Sequence, residues 1–161
     1  MHDNLMHNLY KAASIPREKQ FKGDIMGVVG FSLTRIKAQR FEIPGKGIKI
    51  TNDASIMDVQ EVMVSFGKEK QPTLRFKFHY KSDYEPKIAE IELLGEVMYL
   101  QDPKKLKEIE AHWKKNKSLP ADIAPAIMNP IVSKCSVKTI TLAEELNIPS
   151  PIPLPKVQPK K

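Results

Sequence analysis

The segment that decides the fold is Thr73-Leu74-Arg75-Phe76-Lys77-Phe78-His79-Tyr80-Lys81. Apolar and polar side chains alternate along it. The apolar set consists of Leu74, Phe76, Phe78 and Tyr80, and the polar set consists of Arg75, Lys77, His79 and Lys81. Because successive side chains of a β-strand point to opposite faces of the sheet, the alternation predicts a strand with one face in a core and the other in water.

Strand-forming segments on both sides of this stretch predict a sheet of four strands. Gly27 and Gly30 indicate a bulge or bend near the start of the first strand. The connections are short, so we expect consecutive strands to pair as an antiparallel meander. The predicted segments, apart from Thr73–Lys81, are Asp24–Ile43, a short edge piece at Ile48–Thr51, Met57–Phe66, and Lys87–Gln101.

The second half of the chain has the pattern of two helices. Asp102 before Pro103 is a typical N-cap, and the helix is expected to end near Lys117. Asp122 is a plausible N-cap for a second helix, whose apolar residues recur at i, i+4 spacing and which should kink at Pro130. Strands followed by helices predict an α+β domain, a four-stranded antiparallel β-meander with both helices packed on one face. The apolar face of the second helix is Ile123, Ile127, Ile131, Cys135, Thr139 and Leu142.

These elements divide the chain into three parts. We expect residues 1–23 to form an N-terminal arm and residues 24–148 to form a single α+β domain. Residues 149–161 contain five prolines and predict an extended polyproline II tail, either free or laid across the domain.

Composition excludes several classes of protein. Cys135 is the only cysteine, so an intrachain disulfide and a cysteine-rich zinc site are both excluded. No apolar run is long enough to span a bilayer, and the N-terminus lacks the pattern of a secretory signal. We therefore expect a cytoplasmic protein.

A search for catalytic chemistry gives little. The sequence contains no phosphate-binding glycine motif, and its histidines lack the spacing of metal ligands. Glu90, Glu92 and Glu96 share the polar face of one strand, where pairing with the row of Arg75 and Lys77 is the simpler interpretation than acid–base catalysis. We expect no enzyme activity, no cofactor and no metal, and we interpret Cys135 as a core residue.

The net charge of +7 leaves nucleic acid as an alternative partner. A basic protein that binds single strands could use the sheet together with the Lys-rich helix 103–117. Proteins that bind single strands on a β-sheet place aromatic and basic side chains on the same surface. Here they fall on opposite faces, so Phe76, Phe78 and Tyr80 are better interpreted as core or interface.

Several strands carry apolar residues on both faces, more than a two-layer domain can bury. Such surfaces mark subunit contacts or a protein-binding face, and methionine suits adaptable apolar binding. For some of these positions the alternative is an ordinary place in the core. The candidates for contact with a client polypeptide or a second subunit are Leu33, Met57, Val59, Met63 and Met98.

The order of the segments resembles the SecB family of protein-export chaperones over about residues 28–157. Phe31–Ile36 and Phe41–Pro44 are similar to the F-x-L-x-R-I and F-E-x-P segments of the family's first strand. Glu92-Leu93-Leu94-Gly95-Glu96-Val97 looks like its last strand. Ile123–Thr139 lies where the family has its long helix, and Asn147-Ile148-Pro149 is similar to the proline-bearing segment after it.

The resemblance implies a four-stranded sheet with helices on one face, assembled as a homodimer or homotetramer with apolar grooves. It also implies a holdase that binds unfolded polypeptides without ATP, in protein export or targeting. Three departures stand out. The chain is basic where SecB is acidic, which puts a partnership with the export motor SecA in doubt. Helix 103–117 replaces the family's crossover, and the long helix lacks the Pro-Tyr-Ala-Arg-Glu run.

Overall fold

The computed structural model describes residues 26–159. They form four strands followed by two helices, which confirms the predicted α+β class. The N-terminal arm expected over 1–23 lies outside the described residues. The elements are β1 (Gly27–Arg40), β2 (Lys49–Phe66), β3 (Glu69–Glu85), β4 (Ala89–Leu100), α1 (Pro103–Asn116) and α2 (Ala124–Glu145).

All four strands belong to one antiparallel sheet, but its order is β1-β4-β3-β2, so the predicted meander is wrong for the first strand. Tight connections join β2 to β3 and β3 to β4, whereas the loop between β1 and β2 lets β1 cross to the far side of β4. Charge favours this pairing, because β1 carries three cations and no acid while β4 carries three acids and no cation. The predicted bulge near Gly30 is confirmed by a shift of register between Val28 and Gly30.

The two hairpin strands β2 and β3 are longer than predicted. Ile48–Thr51 is no separate edge piece, since β2 runs without a break from Lys49, and the tight turn to β3 is only Gly67-Lys68. Gly67 takes a φ of 67°, which favours glycine. Pro72 lies in β3 just beyond Leu74, the residue at which the pairing of β3 with β4 ends. Proline has no backbone N–H to donate, so it is tolerated where the strand has a neighbour on one side only.

The core lies between the helices and one face of the sheet, which we call the inner face. Gly95 allows the closest approach in this layer, because a Cβ there would overlap the Phe78 ring and the Ser32 carbonyl oxygen. The Phe78 ring stacks on Phe31 of β1, with 5.3 Å between ring centroids. Buried inner-face residues include Leu74, Phe76, Phe78, Tyr80, Ile91, Leu93 and Val97, and the helices cover them with Leu106, Ile109, Trp113, Ile127, Ile131 and Cys135.

One of the two predicted helix caps is confirmed. The Asp102 carboxylate accepts a hydrogen bond from the Lys104 backbone amide at 2.8 Å. Asp122 does not cap α2, whose N-cap position is Ile123 without a side-chain bond. Its carboxylate instead lies 2.9 Å from the Lys105 ammonium on α1. Pro130 lies inside α2, which continues through it.

The beginning of the proline-rich tail is docked on the domain. The Tyr84 hydroxyl donates to the Pro149 carbonyl at 2.6 Å, and Asn52 Nδ2 donates to the Pro151 carbonyl at 2.9 Å. Pro151 is buried, whereas residues 153–159 are exposed. The packed domain thus extends past the predicted boundary at residue 148.

Candidate polypeptide-binding surface

The face of the sheet opposite the helices, the outer face, carries charges in columns. Glu90 on β4 pairs with Lys37 on β1 at 2.9 Å, and Glu92 lies 3.8 Å from Arg35 and 3.5 Å from His79. Glu96 lies 4.0 Å from Arg75 on β3. The acids therefore pair across strands, as predicted, with partners on β1 as well as on β3.

The pKa of one of these acids, Glu90, is shifted by its cationic neighbours. The hydrogen bond from Lys37 lowers the pKa of Glu90 below its usual value, and the nearby charge of Lys81 acts in the same direction. The strand's three acids contact cations on the neighbouring strands and lie on a sheet face that reaches water. This arrangement forms a ladder of opposite charges across the strands.

The aromatic residues of β3 belong to the core. Phe76, Phe78 and Tyr80 are all 2% exposed or less. They lie beneath the helices and offer no stacking surface for bases, which confirms the core interpretation. Cys135 is also buried, and desolvation raises the pKa of its thiol to about 11, so the thiolate is disfavoured at neutral pH.

The predicted contact residues separate into three environments. Met57 is 61% exposed and Met63 is 60% exposed, both on β2. Leu33 and Met98 are half-buried, Leu33 against the core from β1 and Met98 on the outer face opposite Gly30. Val59 is only 3% exposed, so its assignment as a surface contact was wrong: it packs opposite Phe76 in the core.

The two exposed methionines owe their exposure to different local features. Met57 is the extra residue of a β-bulge, since the register with β3 shifts between Ile56 and Asp58. Met63 lies opposite Pro72 in the part of the β2–β3 hairpin that extends beyond the end of β4. No third or fourth strand flanks the hairpin there. We call this two-stranded part, residues 62–73, the hairpin tip.

Sequence reasoning missed a second exposed apolar strip along β1. Val28 is 36% exposed and Ile36 is 47% exposed, and both lie on the inner face by their register with Tyr99 and Leu93. Phe41 and Ile43 continue the strip beyond the end of β1, at 45% and 83% exposure. Because β1 contains two bulges, the residues of this strip do not follow a simple period-two pattern in the sequence.

Within the sheet, the exposed apolar positions lie on β1 and β2, the two strands that have a single neighbour within residues 26–159. Val132 and Val137 of α2 are exposed as well, at 43% and 65%. A strand at the edge of a sheet also presents unpaired backbone groups. Edge backbone together with exposed methionine and aliphatic side chains can hold an extended polypeptide with little sequence preference.

Comparisons with known proteins give a distant likeness among the solved structures. No protein-family model matches the chain, and no curated protein matches it. Among solved structures, the SecB-like chaperone Rv1957 of Mycobacterium tuberculosis, in complex with a ChAD peptide from the antitoxin HigA1 (Rv1956), is similar at a TM-score of 0.42 and 11% identity. The match covers 83% of this chain and 91% of that one.

Within the described residues, neither helix is long and apolar enough to cross a membrane.

Proposed function

We propose that this protein is an ATP-independent chaperone, a holdase that binds unfolded polypeptides along the apolar positions of its edge strands. The observation that carries the proposal is the exposure of Met57 and Met63, each about three-fifths accessible on a strand with only one neighbour. The similarity of its segments to the SecB family supports the same conclusion. No reaction is needed for this activity, so we propose that the protein is not an enzyme.

The physical basis is the release of water from apolar surface. Each buried CH₂ group contributes about 0.8 kcal/mol, so several shallow contacts with side chains of an unfolded chain give useful affinity. Methionine side chains are flexible and adapt to different partners. A folded client keeps its own apolar side chains in its core and would bind poorly. The surface would therefore select unfolded clients over folded ones.

We further propose that the protein works in the cytoplasm as a homodimer or homotetramer, in protein export or targeting. Several binding surfaces on one particle would increase the avidity for a long unfolded chain. The net charge of +7 argues against the SecB mode of binding SecA, which relies on an acidic surface. The buried aromatic rings give no support to the nucleic-acid alternative through the sheet.

The direct test is suppression of aggregation of a denatured model protein without ATP, with the mass of the chaperone measured by light scattering on the same sample. We expect suppression at near-stoichiometric amounts by a dimer or tetramer. Salt-dependent binding of a single-stranded oligonucleotide by a monomer that leaves aggregation unchanged would contradict the proposal.

A further inference from the structure

The first helix carries more than half of the protein's excess positive charge. Residues 103–117 contain six lysines and two glutamates, a net charge of +4, while the whole chain carries +7. Exposed lysines follow each other along α1 in steps of three or four residues through Ala111, which places them on one side of the helix. We call this set the lysine row; it consists of Lys104, Lys107, Lys114 and Lys115.

The acids beside α1 leave most of the lysine row unpaired. Glu108 and Asp122 lie near the ammonium of the half-buried Lys105, at 4.0 Å and 2.9 Å. Within residues 26–159, the only member of the row with an acidic partner is Lys114, whose ammonium lies 3.3 Å from Glu110. The other three ammonium groups of the row are therefore available to a ligand.

The charges at the start of α1 are unfavourable for the helix itself. The N-terminal end of a helix carries a partial positive charge, so acids stabilise its first turn and cations weaken it. The first turn of α1 contains Lys104 and Lys105, and no acid beyond the N-cap Asp102. Lys114 and Lys115 in the last turn, in contrast, stabilise the helix. Helix stability thus explains the lysines at the end of α1 but not those at its start, where they increase the attraction for an anion.

The surroundings of the lysine row indicate what kind of partner it can bind. The apolar side of α1, formed by Leu106, Ile109 and Trp113, is buried against the sheet and cannot enter a lipid interface. Because the single tryptophan of α1 is buried, an unpaired base has no ring to stack on. Protein interfaces have an apolar centre, whereas only the methyl group of Ala111 lies between these lysines. The face is therefore suited to a polyanion that binds through charge alone.

We infer that the exposed face of α1 binds the sugar–phosphate backbone of a nucleic-acid duplex. The lysine row extends over about 16 Å of helix, and a duplex carries one negative charge for about every 1.7 Å of its axis, so several phosphates can contact the row at once. Lysine is a flexible point charge, and contacts with phosphates carry no sequence information, so we expect binding without sequence preference. This activity is additional to the proposed holdase activity and does not depend on it.

The test uses the full chain and fluorescent duplexes of about twenty base pairs, one of RNA and one of DNA, with binding measured by anisotropy. Because four lysines would displace counterions, we expect the affinity to fall about 100-fold as salt rises from about 50 to 200 mM. Binding of either duplex supports the inference, and the ratio of the two affinities identifies the preferred one. A single strand of the same length should bind more weakly, because α1 offers no ring for stacking.

Removal of the three unpaired ammonium groups is the decisive variant. Lys104→Gln/Lys107→Gln/Lys115→Gln should weaken duplex binding at least about tenfold and reduce the dependence of affinity on salt. Its melting temperature should stay close to that of the parent, because the side chains are exposed and the changes in the first and last turns have opposite effects on the helix. Suppression of aggregation should be unchanged, since the proposed holdase activity uses apolar positions of the edge strands.

The control variant removes the same net charge far from the start of α1. Lys46, Lys49 and Lys87 are exposed at the end of the sheet where β4 begins, whereas α1 starts just after β4 ends. Lys46→Gln/Lys49→Gln/Lys87→Gln should weaken duplex binding by less than about twofold, because salt screens distant charges.

Four outcomes would overturn the inference. Absence of duplex binding at low salt removes the site, and equal weakening by the control variant reduces it to general attraction. Tighter binding of the single strand would assign the face to unpaired nucleic acid. Binding of vesicles with about 30% phosphatidylserine, but of neither duplex, would assign it to a lipid surface. If aggregation of a denatured protein is still suppressed in any of these cases, the proposed function stands and only this inference fails.

Discussion

On the middle strands β3 and β4, inner-face side chains are buried along almost the whole strand, whereas on the edge strands burial changes from one residue to the next. Val97 and Leu93 of β4 are fully buried, while Ile36 of β1 lies directly beside Leu93 and is 47% exposed. On β2, Val59 is 3% exposed and Met63, four residues later on the same face, is 60% exposed. Middle strands therefore bury their apolar side chains in the core, and edge strands leave part of their apolar surface accessible.

The largest effect is expected from filling the closest contact in the middle of the sheet. Gly95→Ala places a methyl group against the Phe78 ring and the Ser32 backbone, and should lower the free energy of unfolding by about 3 kcal/mol. Urea unfolding measures the loss. Gly45→Ala is the control, because a Cβ there meets open space and should cost less than about 0.5 kcal/mol. Equal stability of the two variants would contradict the close packing of β4.

Substitutions within β2 should separate stability from binding. Val59→Ala removes buried methyl groups and should cost about 2 kcal/mol of unfolding free energy with little effect on client binding. Met57→Ser/Met63→Ser should change stability by less than about 1 kcal/mol and clearly weaken the suppression of aggregation. Thermal melting and the aggregation assay provide the two measurements. A large fall in melting temperature for the methionine variant would place both residues in the core.

The contrast between middle and edge strands was only partly visible in the sequence. Thr73–Lys81 and Asp102 were predicted correctly because alternation and capping are local signals. The pairing of β1 with β4 was missed because it depends on contacts between residues that are distant in sequence. The ion pair of Asp122 with Lys105, which leaves α2 without a side-chain cap, was missed for the same reason. Val59 and Met63 look equivalent in a period-two pattern. They differ because β4 ends before it reaches the hairpin tip.

A moderate effect is expected where the tail docks on the end of β3. Tyr84→Phe removes the hydrogen bond to Pro149 and should cost about 1 kcal/mol. Burial raises the Tyr84 pKa from its ordinary 10.0 to about 12. The stability that depends on the protonated phenol should therefore be complete below pH 10 and should decline as pH rises toward 12.

Urea unfolding of the parent and of Tyr84→Phe across this pH range tests the assignment. The difference between the two proteins should shrink as the parent loses the contribution of its protonated phenol. A constant difference at all pH values would show that Tyr84 is not the group responsible.

The smallest effect is expected from the exposed charge ladder between β1 and β4. Lys37→Gln breaks the pair with Glu90 and should reduce stability by at most about 0.5 kcal/mol, less at high salt. Because Lys37 lowers the Glu90 pKa, the contribution of the pair should be present at neutral pH and be lost as acid protonates Glu90. Chemical unfolding at low and high salt checks this result, and a loss that does not depend on salt would indicate packing instead.

The most direct test of the distinction between middle and edge strands is amide hydrogen exchange with and without a bound unfolded client, such as a reduced and carboxymethylated model protein. Our account predicts new protection along β1 and β2, including the residues around Met57 and Met63, and no change on β3 and β4 apart from the hairpin tip. Protection confined to the helices, or no protection anywhere while the client is bound, would contradict the claim that the edge strands form the binding surface.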